Sequence, residues 1–451
     1  MTNGTCTIVE QSRKTPILGE YEVVVLGGGP AGIAAAFAAG RAGRSTILIE
    51  RYGFLGGAGT AAGLSNFCGL HANVHGDIRQ VVHGVADELL SRLDHMGGLN
   101  APLSFANKIK AQAYDISAYK IAADDLLLSA GVKILFHAFA VGAVKRSDQE
   151  IHALLVESKS GRGAIVGRIF IDCSGDGDLA AWVGAPFEKG DGQGNMLYPS
   201  TMFRINGVDP DKAGRAWESL PKLMEETERT QGRRFPRQGA IVRPQKNPIE
   251  WRANVTQIKN PDGSAVDGTD VEQLSRGEIE GRRQCWETFE FIRENAPGFD
   301  KAYIVEIAPQ IGIRETRRIT GEYLLTEQDI LGCASFDDTI GVNGWPVEAH
   351  VAGNVVFRWQ PIPESRGFNH LPYRMIVPLE IDNLFVAGRC ASMTHEGQSS
   401  ARVSGSCFVM GQAAGTAADL ALKAGVRPRA VDVGALQRRL ESEGAFLGTR
   451  W

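Results

Sequence analysis

Apolar residues follow two different periods along the first part of the chain. Val23–Leu26 is a continuous apolar run rich in β-branched residues, which is typical of a parallel strand buried on both faces. The alanine-rich stretch Ala31–Ala42 predicts a helix, and Ser45–Ile49 predicts a second buried strand. This strand–helix–strand order predicts an α/β unit.

The same two patterns continue to about residue 196. Helical periodicity predicts helices over Asp77–Met96 and Asp115–Ala130. Strand patterns follow over residues 132–144, 152–158 and 164–175, with glycine-rich turns between them. We therefore expect one continuous α/β domain over this part of the chain.

The pattern changes from about Tyr198, where the glycine-turn motifs disappear. Residues 201–208 predict a strand, and Tyr303–Ile307 predicts another. Between them, Asp270–Asn295 predicts a long helix with an apolar stripe. We interpret this region as a second domain inserted into the first.

Near its end the chain returns to the first pattern. Residues 383–390 predict a short buried strand, and residues 400–425 predict a helix rich in glycine and alanine. Each helical glycine costs about 1 kcal/mol against alanine, so several together indicate close approach to another backbone or a flat ring. The sequence thus divides into a flexible N-terminal arm (1–18), the first part of an α/β domain (19–196), an inserted α+β domain (197–374), and the second part of the first domain with a C-terminal helix (375–451).

Composition narrows the classes of function. The chain has 451 residues and a net charge of −4, so no basic excess indicates nucleic-acid binding. The sequence contains no run of about 18 apolar residues, so it predicts no membrane span. It also has no leader pattern, and we therefore expect a cytoplasmic protein. The seven cysteines are scattered without a C-x-x-C pair, which predicts reduced thiols and no metal site.

The first strand and helix are joined by a glycine motif. Gly27, Gly29 and Gly32 have the spacing G-x-G-x-x-G, and Glu50 closes the second strand 50 − 32 = 18 positions later. The glycines allow a tight turn, close approach of a pyrophosphate, and packing of helix on strand. The helix N-terminus favours phosphate, and the acid can accept a ribose hydroxyl. This combination predicts a dinucleotide site.

Two further stretches have unusual turn chemistry. GFLGGAGT (53–60) is a glycine loop that can offer N–H groups along a long cofactor, the alternative being a plain connector. DCSGDGDLAA (172–181) joins a strand to a helix through a Gly-Asp-Gly-Asp turn. It fits either a capped turn or a second backbone approach to the same cofactor.

The order of these pieces resembles the FAD-dependent oxidoreductases of the glutathione reductase superfamily. More closely, the chain is similar to the bacterial FAD-dependent oxidoreductase family, which is distantly related to fumarate reductase and succinate dehydrogenase flavoproteins. The resemblance covers nearly the whole chain and is carried by GFLGGAGT (53–60), FIDCSGDGDLAAWVGAPFEKG (170–190), RETRRITGEYLLT (314–326), LPYRMIVP (371–378) and NLFVAGRCASMTHE with the following small-residue helix (383–418).

The resemblance implies a Rossmann-like FAD-binding domain of glutathione reductase type, capped by the inserted α+β substrate domain. It implies FAD bound non-covalently along the first domain, with the helix after residue 400 directed at the flavin. The cofactor-binding residues that it implies are Gly27, Gly29, Pro30, Ala31, Gly32, Glu50, Arg51, Gly56, Gly57, Thr60, Val141, Ser174, Gly175, Asp176, Gly388, Arg389 and Val403.

The chain also departs from relatives in this superfamily. Disulfide reductases carry a C-x-x-x-x-C pair and a second G-x-G-x-x-G unit for NAD(P)H, and both are absent from this sequence. We therefore expect a small-molecule substrate to exchange electrons with the flavin directly. The electron acceptor is left open between oxygen, a quinone and a partner protein.

Three residues are candidates for catalysis. His395 and Glu396 lie in the loop between the cofactor strand and the final helix, where a histidine could act as general base and the acid could orient it. The alternative for His395 is a hydrogen bond to flavin or backbone. Arg402 lies in the first turn of the final helix and is expected to face the same side, with a helix-end ion pair as the alternative.

The inserted domain and the linker after it supply candidates for substrate binding. An arginine can anchor a carboxylate through two parallel hydrogen bonds, although arginine runs also form structural ion pairs. We expect the wall of the substrate cleft to include Arg314, Arg358, His370, Tyr373 and Arg374.

The sequence thus predicts an FAD-dependent dehydrogenase or oxidase that takes a hydride from a small organic metabolite to flavin N5. One alternative is a reductase of an activated C=C bond, similar to fumarate reductase. Another is an FAD-binding subunit of a larger electron-transfer complex. A homodimer is left open as the assembly.

Overall fold

A computed structural model describes residues 8–105 and 107–449. The first seven residues of the predicted arm, including Cys6, lie outside the described residues, as do the last two residues of the predicted C-terminal part. The first strand begins at Ile17.

The described residues form short strands throughout the chain. They are β1 Ile17–Leu26, β2 Thr46–Ile49, β3 Asn66–Phe67, β4 His71–Val74, β5 Asp77–Gln80, β6 Leu103–Phe105, β7 Ile109–Ala113, β8 Lys133–Leu135, β9 Phe139–Ser147, β10 Glu150–Ser158, β11 Gly161–Asp172, β12 Phe187–Glu188, β13 Phe203–Asn206, β14 Ile241–Pro244, β15 Trp251–Asn254, β16 Tyr303–Ile307, β17 Arg318–Ile319, β18 Thr339–Asn343, β19 Val347–Val351, β20 Asn354–Arg358, β21 Asn369–Pro372 and β22 Leu384–Val386.

Helices alternate with these strands. They are α1 Pro30–Arg41, α2 Val85–His95, α3 Ile116–Ser129, α4 Asp178–Trp182, α5 Pro210–Ala213, α6 Ala216–Gln231, α7 Val271–Asn295, α8 Glu327–Leu331, α9 His395–Ala401, α10 Ser404–Ala424 and α11 Val433–Ser442, with short 3₁₀ turns at Gly57–Gly59, Tyr373–Ile376 and Pro428–Ala430.

The main sheet confirms the predicted α/β fold. Its strand order is β8-β2-β1-β11-β10-β9, and β22 also pairs with β11. The pairs β8–β2, β2–β1, β1–β11 and β11–β22 are parallel, whereas β11–β10 and β10–β9 are antiparallel. The carboxyl ends of β1, β2, β11 and β22 therefore meet at one edge of the sheet, where open α/β sheets bind their ligands.

Helices α1 and α10 pack against each other unusually closely. A Cβ added at Gly411 would lie 2.1 Å from the backbone oxygen of Ala31, and one at Gly415 would lie 2.2 Å from that of Ala35. A side chain cannot lie this close to a backbone oxygen. Gly411 and Gly415 are therefore required by the close approach of α10 to the backbone of α1. This finding explains the glycines that the sequence places in the final helix.

The inserted region has a sheet and a hydrophobic cluster of its own. Strands β14-β15-β13-β16 form a four-stranded sheet, and its cluster extends from Phe203 to Ala302 with α6 and α7. Residues from Leu325 to Val377 instead join the cluster that contains β1 and α1. The unit with a separate core is thus narrower than the range 197–374 inferred from the sequence.

Two predicted helices differ from the structure. Asp77–Gln80 pairs with His71–Val74 as a hairpin, and α2 begins only after Gly84, whose φ of +77° ends the preceding segment. The predicted helix over 400–425 is two helices, because Val403 is extended at ψ 163°. The break at Arg402 and Val403 creates a second helix N-terminus.

Among the described residues, no helix is both long and apolar enough to cross a membrane. The same residues contain no group of three metal-ligating side chains. The described cysteines 68, 173, 285, 333, 390 and 407 are all free thiols.

Candidate active site

A cavity of about 570 Å³ opens at the carboxyl ends of the parallel strands. Its volume lies in the range of roughly 300–1,000 Å³ that is usual for ligand pockets. One end is formed by the turn Gly27–Ala31, and the other by β14, β15 and β19 with the loop 309–314 and the helix break at Arg402. We call the first the nucleotide end and the second the inner wall.

The nucleotide end is built from backbone. Gly27 has a φ of +97°, and a Cβ at Gly32 would lie 1.8 Å from the Gly27 oxygen, so both glycines are needed for the turn into α1. The glycine loop packs directly against this turn, because a Cβ at Gly57 would lie 2.8 Å from Gly29 Cα. The N–H of Gly56 donates to the oxygen of Gly28 at 2.8 Å. The result is a narrow cradle at a helix N-terminus, which favours phosphate.

Glu50 lies at the end of β2 and is 7% exposed. Its Oε2 accepts the Gly28 N–H at 2.7 Å, and its Oε1 accepts the Tyr52 N–H at 3.0 Å. Burial raises the pKa of this carboxyl, and the two amide hydrogen bonds oppose that shift. A carboxylate has about four acceptor positions, so Glu50 retains capacity for a ribose hydroxyl.

The turn after β11 forms the neighbouring wall. Asp172 is fully buried, and it accepts the hydroxyl of Ser174 at 2.6 Å and the N–H of Ala180 at 3.0 Å. Asp176 accepts Arg389 Nη2 at 2.9 Å. Asp172 thus holds the turn itself, while Asp176 and Arg389 form a paired charge in the cavity wall.

Arginines dominate the inner wall. Arg243 and Arg252 come from neighbouring strands β14 and β15, Arg314 from the loop after β16, and Arg402 from the break between α9 and α10. Arg252 is 2% exposed and Arg314 is 6% exposed. Arg314 Nη1 donates to the Tyr198 oxygen at 2.6 Å. This wall therefore concentrates positive charge away from water.

A carboxylate–histidine pair lies in the same wall. Glu348 Oε1 is 3.0 Å from His350 Nε2, and Trp345 Nε1–H donates to Glu348 Oε2 at 2.8 Å. Burial, Arg314 and Arg402 lower the pKa of His350 well below its usual value. Burial alone would raise the pKa of Glu348, but the hydrogen bond from His350 and the charge of Arg402 lower it. The pair therefore consists of a carboxylate and a neutral imidazole, with Nδ1 left as an acceptor.

Most of the expected cofactor residues line this cavity. Those in its wall are Gly27, Gly29, Pro30, Ala31, Glu50, Arg51, Gly57, Ser174, Gly175, Asp176, Gly388, Arg389 and Val403. Gly32, Gly56 and Thr60 shape the adjoining turns from outside the wall. Val141 lies on β9 at the edge of the main sheet, because the antiparallel strands β10 and β9 extend away from the strand ends.

The structure separates the three candidates for catalysis. Arg402 lines the cavity, whereas His395 and Glu396 do not. His395 begins α9, and its Nδ1 is 3.0 Å from the buried Glu315, which also pairs with Arg318. His395 therefore lies outside the cavity wall and belongs to this network of ion pairs.

Only one of the five expected substrate residues lies in the cavity wall, and it is Arg314. Arg358 pairs with Glu327 at 2.8 Å, and Arg374 pairs with Asp338 at 2.9 Å, both half-exposed. Tyr373 donates to the Pro428 oxygen at 2.7 Å.

His370 accepts the Phe336 N–H at 3.2 Å. His370 and Tyr373 fall outside the cavity because strand β21 and the following 3₁₀ turn pack in the core of the first domain.

Sequence reasoning missed Arg243, Arg252, Glu348 and His350. The only signal for Arg252 is its place in WRANV (251–255), where a charged residue and Asn254 interrupt an otherwise apolar strand. VEAHV (347–351) alternates apolar and polar residues and is typical of a half-exposed surface strand. Neither pattern indicates that these charges are buried.

Solved structures with similar folds were found over most of the chain. A geranylgeranyl bacteriochlorophyll reductase-like protein from Thermoplasma acidophilum is 13% identical, with a TM-score of 0.48 over 95% of this chain and 84% of that chain. A p-nitrophenol 4-monooxygenase from Pseudomonas putida is 13% identical, with a TM-score of 0.47 over 96% and 87%. A flavin-dependent brominase is 12% identical, with a TM-score of 0.46 over 94% and 84%. Likenesses this weak indicate no substrate.

The comparison with curated proteins found no match. The comparison with protein families, in contrast, matched residues 22–440 to the family described as FAD dependent oxidoreductase. The match spans both parts of the α/β domain and the inserted region between them. This chain therefore belongs to the FAD-dependent oxidoreductase family.

Proposed function

We propose that the protein is a dehydrogenase or oxidase that removes a hydride and a proton from a small organic substrate. The observation that carries this proposal is the pair Glu348–His350 in the wall of the cavity that also contains the turn Gly27–Ala31. A neutral, oriented imidazole can accept the proton that a hydroxyl or amine loses on oxidation.

FAD is the cofactor of this family, and the nucleotide end fits it. The cradle lies at the N-terminus of α1, where a pyrophosphate is favoured. A Cβ at Gly57 would collide with Gly29 and so narrow this cradle. Glu50 would accept a ribose hydroxyl, and Arg389 would lie beside the cofactor while paired with Asp176. FAD supplies the hydride acceptor. We propose that it is bound non-covalently.

The role of His350 follows from its two neighbours. Glu348 accepts the Nε2–H and so fixes the tautomer in which Nδ1 is the base. Burial and the positive charges of Arg314 and Arg402 disfavour a positive charge on the imidazole ring. The imidazole is therefore neutral before reaction. Once Nδ1 has taken the substrate proton, the Glu348 carboxylate at Nε2 would stabilise the imidazolium and so offset part of the cost of the new charge.

The proposal is tested by anaerobic stopped-flow measurement of flavin absorbance in the holoenzyme. Small alcohols and amines, each beside its carboxylated analogue, would be the donors, and NADH and NADPH would be the comparison. We expect at least one organic donor to bleach the flavin faster than either nicotinamide. Rapid bleaching by NADPH with none by any organic donor would contradict the direction of transfer.

A second candidate function is reduction of an activated double bond in an unsaturated acid. The arginines of the inner wall favour it, because they can bind the acid and stabilise negative charge that develops beside it. In this case an unsaturated acid would reoxidise the chemically reduced holoenzyme faster than oxygen does. The lowered pKa of His350 favours oxidation instead, since a neutral imidazole is a poor proton donor.

A further inference from the structure

The inner wall contains more arginines than carboxylates. Arg243, Arg252, Arg314 and Arg402 line it. The charge of Glu348 acts on both Arg314 and Arg402, and that of Glu315 acts on Arg402. Buried charges are normally paired, because an unpaired ion loses its hydration without compensation. The excess therefore requires either a structural reason or a ligand.

The arginines also act on one another. Burial lowers the pKa of Arg314 well below its usual value, and the neighbouring charges of Arg402 and Arg237 lower it further. Burial likewise lowers the pKa of Arg252 to about 10, with Arg243 as its like-charged neighbour. This arrangement is unfavourable in the free protein, and a bound anion would relieve it.

Two of the guanidinium groups have unused donors. Among the residues that the structure describes, Arg402 Nε and Nη2 are buried and have no hydrogen-bond partner, and the same holds for Arg252 Nε. Arg252 Nη2 reaches Asn66 at 2.8 Å when the Asn66 amide is turned with its oxygen toward it. Arginine cannot accept a hydrogen bond or lose its proton readily, so these donors need an acceptor from outside the chain.

The phosphates of FAD do not account for this acceptor. They are favoured at the N-terminus of α1, and Arg389, which also lines the cavity, is already paired with Asp176. Arg252, by contrast, lies on the sheet of the inserted region. The aromatic residues Phe67 and Trp345 also line the cavity. The inner wall therefore offers a cationic, partly aromatic surface to a second molecule.

We propose that Arg252, Arg314 and Arg402 bind a carboxylate group of the substrate, so that the enzyme acts on a small organic acid. The guanidinium fork matches the planar carboxylate through paired hydrogen bonds. This substrate class rests on the proposed function, because it places the acid beside His350. The carboxylate remains a spectator, and the oxidised carbon carries the hydroxyl or amine.

Binding of unreactive acids to the holoenzyme tests the site apart from catalysis. Malonate would be compared with its neutral analogue malonamide and with inorganic phosphate, by flavin difference spectra and by the shift in melting temperature. We expect malonate to saturate and to bind at least about tenfold more tightly than malonamide, since a tenfold ratio corresponds to about 1.4 kcal/mol. Phosphate is expected to bind more weakly than malonate.

Variants assign the effect to the arginines. Arg252→Met and Arg402→Met should each weaken malonate binding at least about tenfold, the scale of one charge-assisted hydrogen bond, with unchanged FAD content. Arg374→Met is the matched control, because Arg374 is half-exposed and paired with Asp338 outside the cavity. If a Met variant fails to fold, Arg402→Lys retains the charge, loses the fork, and should weaken binding several-fold.

Equal binding of malonate and malonamide would overturn the proposal, as would unaltered malonate binding in folded Arg252→Met and Arg402→Met. Tighter binding of phosphate would overturn the carboxylate class. If neutral donors bleach the flavin while no acid binds, this inference fails and the proposed function stands. If acids bind as expected while no organic donor bleaches the flavin, the proposed function fails and the carboxylate site is supported.

Discussion

The two ends of the cavity differ in whether their charged side chains are paired. At the nucleotide end, Glu50 accepts two backbone N–H groups, and Asp176 is paired with Arg389 at 2.9 Å. At the inner wall, buried nitrogens of Arg252 and Arg402 have no partner among the described residues. Paired charges hold a backbone cradle in one shape, whereas unpaired charges remain available for a ligand. This difference agrees with the proposal that the first end holds FAD and the second binds a substrate.

The largest effect is expected from Gly411→Val, which breaks the support of the nucleotide end. Its Cβ would lie 2.1 Å from the Ala31 oxygen, a backbone atom of the phosphate-facing helix that cannot move aside. We expect a loss of at least about 3 kcal/mol in the free energy of unfolding, together with loss of bound FAD. Thermal melting and flavin content of the purified protein measure both.

Gly434→Ala is the control for this substitution. Gly434 also lies in a helix, α11, but its Cβ would approach only side-chain atoms, those of Arg438 and Asp432, both at 3.3 Å. Stability should stay the same or rise slightly, because alanine favours the helix. A Gly411→Val protein that melts like the wild type and retains FAD would contradict the role of the α1–α10 contact.

The second effect concerns the chemistry of the inner wall. His350→Gln should lower the rate constant for flavin reduction by about 10²–10⁴-fold, the usual contribution of a general base, with FAD content unchanged. His395→Gln should have little effect, because His395 is held by Glu315 outside the cavity. Anaerobic stopped-flow compares the two, and the reverse result would return the catalytic role to His395.

The pH profile of that rate constant sharpens the same comparison. Burial, with Arg314 and Arg402 nearby and Glu348 opposing them, lowers the pKa of His350 well below 6.5. The imidazole is therefore neutral and active at pH 7, and activity is lost only when acid protonates it. We expect a rate constant that is constant from pH 8 to 6.5 and falls only at a pH well below 6.5. A midpoint at or above the ordinary histidine value of about 6.5 would contradict this environment.

A smaller effect is expected from Glu50→Gln at the nucleotide end. The amide oxygen can accept only one of the hydrogen bonds from Gly28 and Tyr52, and the amide nitrogen would face the other N–H group. The Kd for FAD should rise about tenfold, as measured by fluorescence of the released flavin. Glu22→Gln is the control, because Glu22 pairs with Arg44 outside the cavity wall. Equal Kd values for the two variants would contradict a role of Glu50 in binding FAD.

The smallest effect is expected from Arg358→Ala. Arg358 is half-exposed and pairs with Glu327 at 2.8 Å outside the cavity wall. Exposed ion pairs contribute about 0–1 kcal/mol, so urea unfolding should shift by less than about 1 kcal/mol and flavin reduction should be unchanged. A large loss of activity with unchanged stability would mean that the inner wall extends to this residue.

The nucleotide end could be predicted because its information is local in sequence. The turn Gly27–Ala31 and Glu50 belong to one strand–helix–strand segment whose spacing follows from the backbone. The parallel pairing of β1 with β11 then brings the turn Ser174–Asp176 to the same edge. The α/β fold followed from the same patterns.

The inner wall could not be predicted, because it is assembled from segments that meet only in the folded chain. Arg252 and Glu348 lie on strands of two different sheets, and Arg402 lies at a helix break that periodicity does not indicate. His395 has the more suggestive position in sequence, yet α9 directs it to Glu315. A charged residue in a strand is usually solvent-exposed, and only tertiary contacts show that these are buried.

The contact between α1 and α10 also sets the order in which the protein can be completed. Gly411 and Ala31 touch although they are 411 − 31 = 380 positions apart. Synthesis begins at the N-terminus, so the glycine motif leaves the ribosome long before the helix that supports it. A chain that stops before residue 404 would carry the entire motif without α10. The helix that supports the cradle is therefore supplied only when the last part of the chain packs against the first.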